Sequence, residues 1–408
     1  MQETPQSPNK REWLRRFACA YRVTALVSFN TLVLFVILNL GAFLLADKPT
    51  VADRVSRDPM RVFKTYGVEK MKQVYPHRDE KTIQQLQKET WGRELTYEPF
   101  TEFKEAEFSG AYVNVSPEGW RRIKNQAPWP PSPQEFCIFV FGGSTTFGYG
   151  VTDDETIPSR LQETLRRRHP ERRISIYNFG RGFYYSVPER ILFEKLLIAG
   201  FRPQAVLFID GLNEFENAWG ETKLSPRIDR ALRWLDVRQK AGWTELFPLV
   251  TALRPPNAKS PYLMDSREWH ATRRGFELIP STDEAAITRR LLERYLLNRE
   301  IIRGSAGQFN IRALFVWQPV PAYHADPARH PMGLGETGEH PLSAPGYAMM
   351  KEKLKPQEPA NDFLWCAELH EGQRLPLYVD SVHYSAAFCE AIANTIATAW
   401  LERGLMRP

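Results

Sequence analysis

Apolar residues fall into two patterns along this chain: one long run near the N-terminus, then short runs alternating with segments of helical period. Val23 to Ala46, VTALVSFNTLVLFVILNLGAFLLA, carries no charged side chain. That is long enough for one helix to cross a bilayer. A cleaved signal would have a shorter apolar region and small residues before the cut. Leu44 stands at the second of those positions for a cut after Ala46. The pattern predicts an uncleaved anchor over residues 23–46, following a basic tail over 1–22.

Residues 47–135 are polar and proline-bearing, with helical potential from Asp79 to Glu89. They end in Ala127-Pro-Trp-Pro-Pro-Ser-Pro133, a stiff extended connector. We read them as a membrane-proximal stalk that packs on the following domain and is not a separate catalytic unit. From Phe136 the pattern becomes strand–helix alternation. Strands are predicted at Ile138–Phe141, Ile174–Asn178, Ala205–Asp210 and Ala313–Trp317. Helical spacing places Ile157, Leu161 and Leu165 on one face of Asp154–His169. Ile191, Leu192 and Leu196 form the apolar positions of Pro188–Ala199. The rhythm breaks from Phe215 to about Pro280, an insertion rich in tryptophan and proline. Ser281-Thr-Asp-Glu284 reads as a capping box for a helix bearing Ile287, Leu291, Tyr295 and Ile302. A last helix, Ser385 to Leu401, aligns Phe388, Ile392, Ile396 and Trp400. Such alternation predicts an α/β fold: a three-layer α/β/α sandwich around a flavodoxin-like parallel sheet, over residues 136–408.

Composition changes this picture little. Of 408 residues, 43% are hydrophobic and 12% aromatic, enough for a substantial core. The formal charge of +6 comes from 54 basic against 48 acidic residues, a small excess that does not indicate nucleic-acid binding. Its local part matters more. Lys10, Arg11, Arg15, Arg16 and Arg22 precede the apolar run, which places the N-terminus in the cytoplasm and the long C-terminal part outside. The four cysteines lack metal-ligand spacing. Cys137 reads as core, and a Cys366–Cys389 bridge suits an oxidising compartment without being specified by the sequence.

The chemistry concentrates after the first strand of the sheet. Phe139 to Gly150, FVFGGSTTFGYG, runs from buried strand into a glycine-lined turn carrying Ser144. It lacks the lysine of a phosphate-cradling loop. Serine is a weak nucleophile until a base takes its proton. Asp380-Ser-Val-His383 supplies a base and the carboxylate that orients it. Gly180 and Asn213, both just after strands, are candidate donors to an oxyanion, with an ordinary turn glycine and a capping asparagine as the alternatives. All of these positions fall at the strand ends where open α/β sheets hold ligands.

Four blocks in this order resemble the SGNH/GDSL hydrolase family. Gly142-Gly-Ser-Thr-Thr-Phe-Gly148 is similar to the nucleophile block and Asn178-Phe-Gly180 to the glycine block. Gly211-Leu-Asn213-Glu214 is similar to the asparagine block and Asp380-Ser-Val-His383 to the acid–base block. The resemblance spans roughly residues 136–401. It implies Ser144 as nucleophile, His383 as general base and Asp380 as its partner. It also implies an oxyanion hole made by the Ser144 and Gly180 backbone N–H groups and the Asn213 amide, with no cofactor and no metal. Gly143 departs from the aspartate of the Gly-Asp-Ser form, and Glu214 from the aspartate that usually follows the asparagine. Both departures leave the substrate class open.

His324, Asp326, His330 and His340 share one loop, but their spacing matches no compact ligand pattern. The tryptophans of the insertion, with Tyr149 and Phe183–Tyr185, are candidates for stacking on sugar rings, although such residues are more often core. The reading is a membrane-anchored serine esterase acting on a small-molecule or glycan acyl ester. An O-acyltransferase of the same fold and a binding or assembly protein without turnover are the alternatives. Intact Ser144, Asp380 and His383 count against the last.

Overall fold

The computed structural model describes residues 10–45, 60–93, 95–216, 283–325, 341–354, 361–373 and 376–406. The insertion expected at 215–280 therefore lies almost wholly outside the described residues. Compactness divides the chain into two units, one comprising residues 1–50 and 230–269, the other 51–229 and 270–408.

In the first unit, α1 (Lys10–Leu45) is a single helix. Its stretch from Trp13 to Gly41 is long and apolar enough to cross a membrane, with mean hydropathy 2.1. Most of its large side chains are exposed.

The second unit is built on a five-stranded parallel sheet. The chain enters it through α2 (Arg61–Val74), α3 (Glu80–Trp91) and two short antiparallel pairs. These pairs are β1 (Leu95–Glu98) with β2 (Glu102–Glu105), and β3 (Phe108–Ser109) with β4 (Asn114–Val115). Next come β5 (Phe136–Gly142), α4 (Ser144–Phe147), α5 (Ile157–Arg168), β6 (Ile174–Asn178) and α6 (Ser186–Ile198). They are followed by β7 (Ala205–Asp210), α7 (Leu212–Glu216), α8 (Glu284–Gln308) and β8 (Arg312–Trp317), then α9 (Ser343–Leu354), β9 (Phe363–Trp365) and α10 (Ala386–Glu402). Strand order in the sheet is β6-β5-β7-β8-β9, all parallel. Numbered within the sheet this is 2-1-3-4-5, the flavodoxin-like order, and its direction reverses between β5 and β7.

Side-chain alternation sorts the strands into two cores. Phe139, Phe141, Tyr177, Phe208, Phe315 and Trp317 point to an aromatic face covered by α6, α8 and α9. Ile138, Val140, Ile176, Leu207, Ile209 and Val316 point to an aliphatic face. There α5 and α10 pack on each other and on the strands. The predicted faces of α5, α8 and α10 are the buried ones. α6 is rotated by one residue, burying Leu192, Phe193 and Leu197 and leaving Ile191 and Leu196 half-exposed. The cap of α8 is Asp283, whose carboxylate accepts from the Ala285 N–H at 3.0 Å; Ser281, the expected start of the capping box, lies outside the described residues. β9 was not anticipated: three residues at a sheet edge are too few to show a period.

A third core joins the entry segment to the sheet unit. Val74, Tyr75, Ile83, Leu86 and Trp91 pack with Phe147, Tyr149 and Val379. Glu89 caps the turn before β4, accepting from the N–H groups of Ala111, Tyr112 and Val113 at 2.7–3.0 Å. Within the expected connector, Trp129 lies in the aromatic core, its ring centroid 4.5 Å from Phe201 and 5.2 Å from Tyr177.

Candidate active site

Ser144 opens α4 directly after β5, with Gly143 as the capping residue. The turn tolerates no side chain at Gly143. A Cβ there would lie 2.4 Å from Asn213 Nδ2 and 3.1 Å from the Tyr184 carbonyl. Asn213 itself sits in α7 at the end of β7 and donates its amide to the Tyr184 carbonyl at 2.7 Å. Ser144 and Asn213 thus flank the point where the strand order reverses, the site expected for ligands on such a sheet.

Asp380 and His383 come from a tight loop before α10. Its arms are joined by Val379 N–H to the His383 carbonyl at 2.8 Å and by Ser385 N–H to the Leu377 carbonyl at 2.8 Å. Inside the turn, Asp380 Oδ1 accepts from the N–H groups of Val382 (2.9 Å) and His383 (2.8 Å). Asp380 Oδ2 lies 2.7 Å from His383 Nδ1, and His383 Nε2 lies 2.8 Å from Ser144 Oγ. Burial by itself would raise the Asp380 carboxyl. The adjacent His383 and the two backbone donors outweigh it and hold the group down at about 2. An ionised carboxylate only accepts, so Nδ1 carries the imidazole proton and Nε2 is left to accept from the serine hydroxyl. Serine, histidine and aspartate therefore stand in the order that proton transfer from Oγ requires.

Gln318, just past β8, ties the two parts together. Its Oε1 accepts from Thr145 Oγ1 at 2.6 Å, next to Ser144, and from the Tyr384 hydroxyl at 3.0 Å, next to His383. The sequence offered no signal for it.

The N–H of Gly180, the expected second backbone donor, donates to Asn178 Oδ1 at 3.0 Å, within its own turn. A Cβ at Gly180 would stand 2.5 Å from the Phe147 nitrogen. The residue is small because it packs on the back of α4, while Asn178 Nδ2 holds the Thr146 carbonyl at 3.0 Å. The turn braces the nucleophile helix and leaves Asn213 as the side-chain donor beside Ser144.

Beneath the Asn213 loop lie three buried carboxyl groups. Glu214 accepts from Ser186 N–H (2.6 Å) and Oγ (3.0 Å), tying α7 to the start of α6. Among the described residues no donor reaches either oxygen of Glu189, which faces Asp210. Burial first, then the neighbouring carboxylates, push Glu189 and Asp210 well above the usual carboxylate range.

Tyr149 is not a sugar platform: it is buried and its ring stacks on His383 at 5.3 Å. Of His324, Asp326, His330 and His340, only His324 is described, and it pairs with Glu371 at 2.8 Å. Glu368 completes a cluster with His324 and Glu371, and Lys351 already pairs with Glu368. Cys366 and Cys389 are buried and unbridged, and Cys137 is core.

The fold and these distances define a Ser–His–Asp triad on a flavodoxin-like sheet. No family model and no curated protein matches the chain. Among solved structures, it is similar to the lipase Lip_vut3 from a goat rumen metagenome, with 12% identity over 65% of this chain and 97% of that one, TM-score 0.37. It is also similar to the psychrotrophic esterase EstA from a Pseudoalteromonas species (11%, 66% and 100%, TM-score 0.34). A third is the acetylxylan esterase Axe2 from Geobacillus stearothermophilus (13%, 64% and 93%, TM-score 0.34).

Proposed function

We propose that this chain is a membrane-anchored serine esterase that cleaves an O-acyl ester through an acyl-Ser144 intermediate. One observation carries the reading: a single imidazole within hydrogen-bond distance of both a serine hydroxyl and a buried carboxylate. Ser144 Oγ attacks the ester carbonyl while its proton passes to His383 Nε2. The carbonyl π electrons move to oxygen, where the Asn213 amide and the Ser144 N–H face the charge. The intermediate collapses, the C–O bond to the alcohol breaks, and His383 returns the proton to the leaving oxygen. Water, deprotonated by the same imidazole, then releases the acid and restores Ser144.

The basic residues Lys10, Arg11, Arg15, Arg16 and Arg22, in α1 ahead of its uncharged run, support a cytoplasmic N-terminus with the triad on the far side of the membrane. That location suits an acyl ester on an extracytoplasmic glycan. Purified full-length protein in detergent should hydrolyse p-nitrophenyl acetate, and a fluorophosphonate should label Ser144. Ser144→Ala should abolish labelling and lower turnover by about 10⁶-fold. Equal turnover in wild type and variant would overturn the reading. Adding a sugar acceptor separates hydrolysis from transfer, since a transferase would form acylated sugar at the expense of free acid.

A further inference from the structure

We infer that the segment preceding the sheet supplies a positioning residue, Trp91, which holds the His383 imidazole in line with Ser144. The inference rests on the esterase reading. Both ring nitrogens of His383 are engaged, but those bonds do not by themselves keep the ring in place through a reaction. Once Ser144 is acylated, its Oγ is an ester oxygen with no proton to donate to Nε2. The ring is then held by Asp380 and by whatever packs on it.

Two aromatic rings do so. Tyr149 stacks on the imidazole at 5.3 Å and 20°, and Trp91 meets it edge-on at 5.9 Å and 80°. Trp91 also meets Tyr149 edge-on at 5.9 Å, so the three rings form one block. Trp91 is the last residue of α3, and α3 is secured in turn. Asp79 caps its start, Ile83 and Leu86 are fully buried, and Glu89 holds the turn at residues 111–113.

A buried ion pair locks the other side of the block. Arg93 Nη2 lies 3.2 Å from Glu105 Oε2, both side chains 1% exposed. Glu105 Oε1 accepts from the Tyr149 hydroxyl at 2.9 Å. The Arg93 guanidinium lies 4.4 Å over the Phe147 ring, and Arg121 lies 5.0 Å from that ring. Phe147 ends the nucleophile helix, so one segment braces both the base and the helix that carries the nucleophile.

The residue types suit the chemistry. Proton transfer turns the imidazole into a cation, and an aromatic ring accommodates a cation. These two rings also cover the imidazole faces, leaving Nε2 to exchange its proton with Ser144, the leaving group and the deacylating water. A misplacement of about 1 Å costs on the order of 10²-fold in rate.

The test uses full-length protein in detergent, p-nitrophenyl acetate as substrate and a fluorophosphonate as label. Trp91→Ala should lower kcat by about 10²-fold and slow labelling in parallel, with KM within about twofold. Trp91→Phe, which keeps a ring, should recover most of the rate. Ile302→Val, buried in α8 within the other core, should lower Tm and leave kcat unchanged. If Trp91→Ala does not fold, Trp91→Leu keeps apolar bulk without the ring and should show the same loss of kcat. Folded Trp91→Ala or Trp91→Leu with wild-type kcat and labelling rate would overturn the inference. So would a rise in KM with kcat intact, which would make Trp91 a wall of the substrate site. A wild-type protein that neither hydrolyses the ester nor labels at Ser144 would instead sink the esterase reading, and the inference with it.

Discussion

Two parts of the molecule meet at His383, and they are held in different ways. Ser144 and Asn213 hang from the ends of β5 and β7, neighbouring strands paired along their length and buried on both faces. Trp91, Arg93 and Glu105 come from a segment whose strands are only two to four residues long. Its fixed points are side chains: the Arg93–Glu105 pair, Glu89 on three backbone donors, and Arg121 donating to the carbonyls of Phe147, Gly148 and Val151. The sheet places the reacting atoms through backbone ladders. The preceding segment places the orientation of one ring through a buried polar network. Damage should differ accordingly: changes at the strand ends remove chemistry, whereas changes in the earlier segment misalign it.

The largest effect that sharpens this contrast is at the base. Asp380→Asn keeps the shape of the loop but leaves His383 in the wrong tautomer, so kcat should fall by up to about 10⁴-fold. The same change should show in acid. The folded Asp380 is held at about 2, below its unfolded value, so its stabilisation is complete above about pH 4 and is lost as pH falls towards 2. Urea midpoints between pH 2 and pH 5 should therefore depend less steeply on pH in Asp380→Asn than in wild type. A parallel pair of curves would show that the carboxylate contributes nothing to folding.

Next in size is the oxyanion side. Asn213→Ala should lower kcat by roughly 10²–10³-fold while fluorophosphonate labelling slows but survives. Gly143→Ala should lose about as much, because its Cβ would displace the Asn213 amide. The double variant should then be scarcely worse than either single one. Losses that multiply would show that Gly143 acts on something other than Asn213.

The smallest effect concerns the carboxyl pair under the Asn213 loop. The folded values of Glu189 and Asp210 are raised. The stability they contribute is full below their unfolded values near pH 4 and is lost as pH rises. Wild type should be more stable at pH 5 than at pH 8, and Glu189→Gln should shrink that difference. A difference unchanged in the variant would mean that Glu189 does not contribute to this pH dependence.

Much of the sheet was legible because its signals are local. A fully buried parallel strand is a short apolar run, and a packed helix repeats its apolar face every three to four residues. β6 and β7 run over the predicted residues, and α10 begins one residue after its predicted start, Ser385, which is its cap. Ser144, Asn213, Asp380 and His383 were legible for a related reason: each lies at the end of a recognisable element. Gly180 shows where this stops. A sequence marks a glycine after a strand but not where its N–H points, and here Asn178, two residues earlier, takes it. Tyr149 was noticed as an aromatic near the site, yet its partner Glu105 lies 44 residues away in a segment without a strong period.

By itself, the sequence determined the order of elements, the apolar N-terminal helix and the four positions that carry reactive or polar groups. These depend on neighbours within a turn or two. Only the tertiary structure decided that Ser144 and His383, 239 residues apart, share a hydrogen bond. It also decided that Trp91 closes on the imidazole and that Asn213 fills the space a side chain at Gly143 would need. Such contacts depend on strand order and on which side chains fill a shared volume, and no local pattern along the chain encodes either.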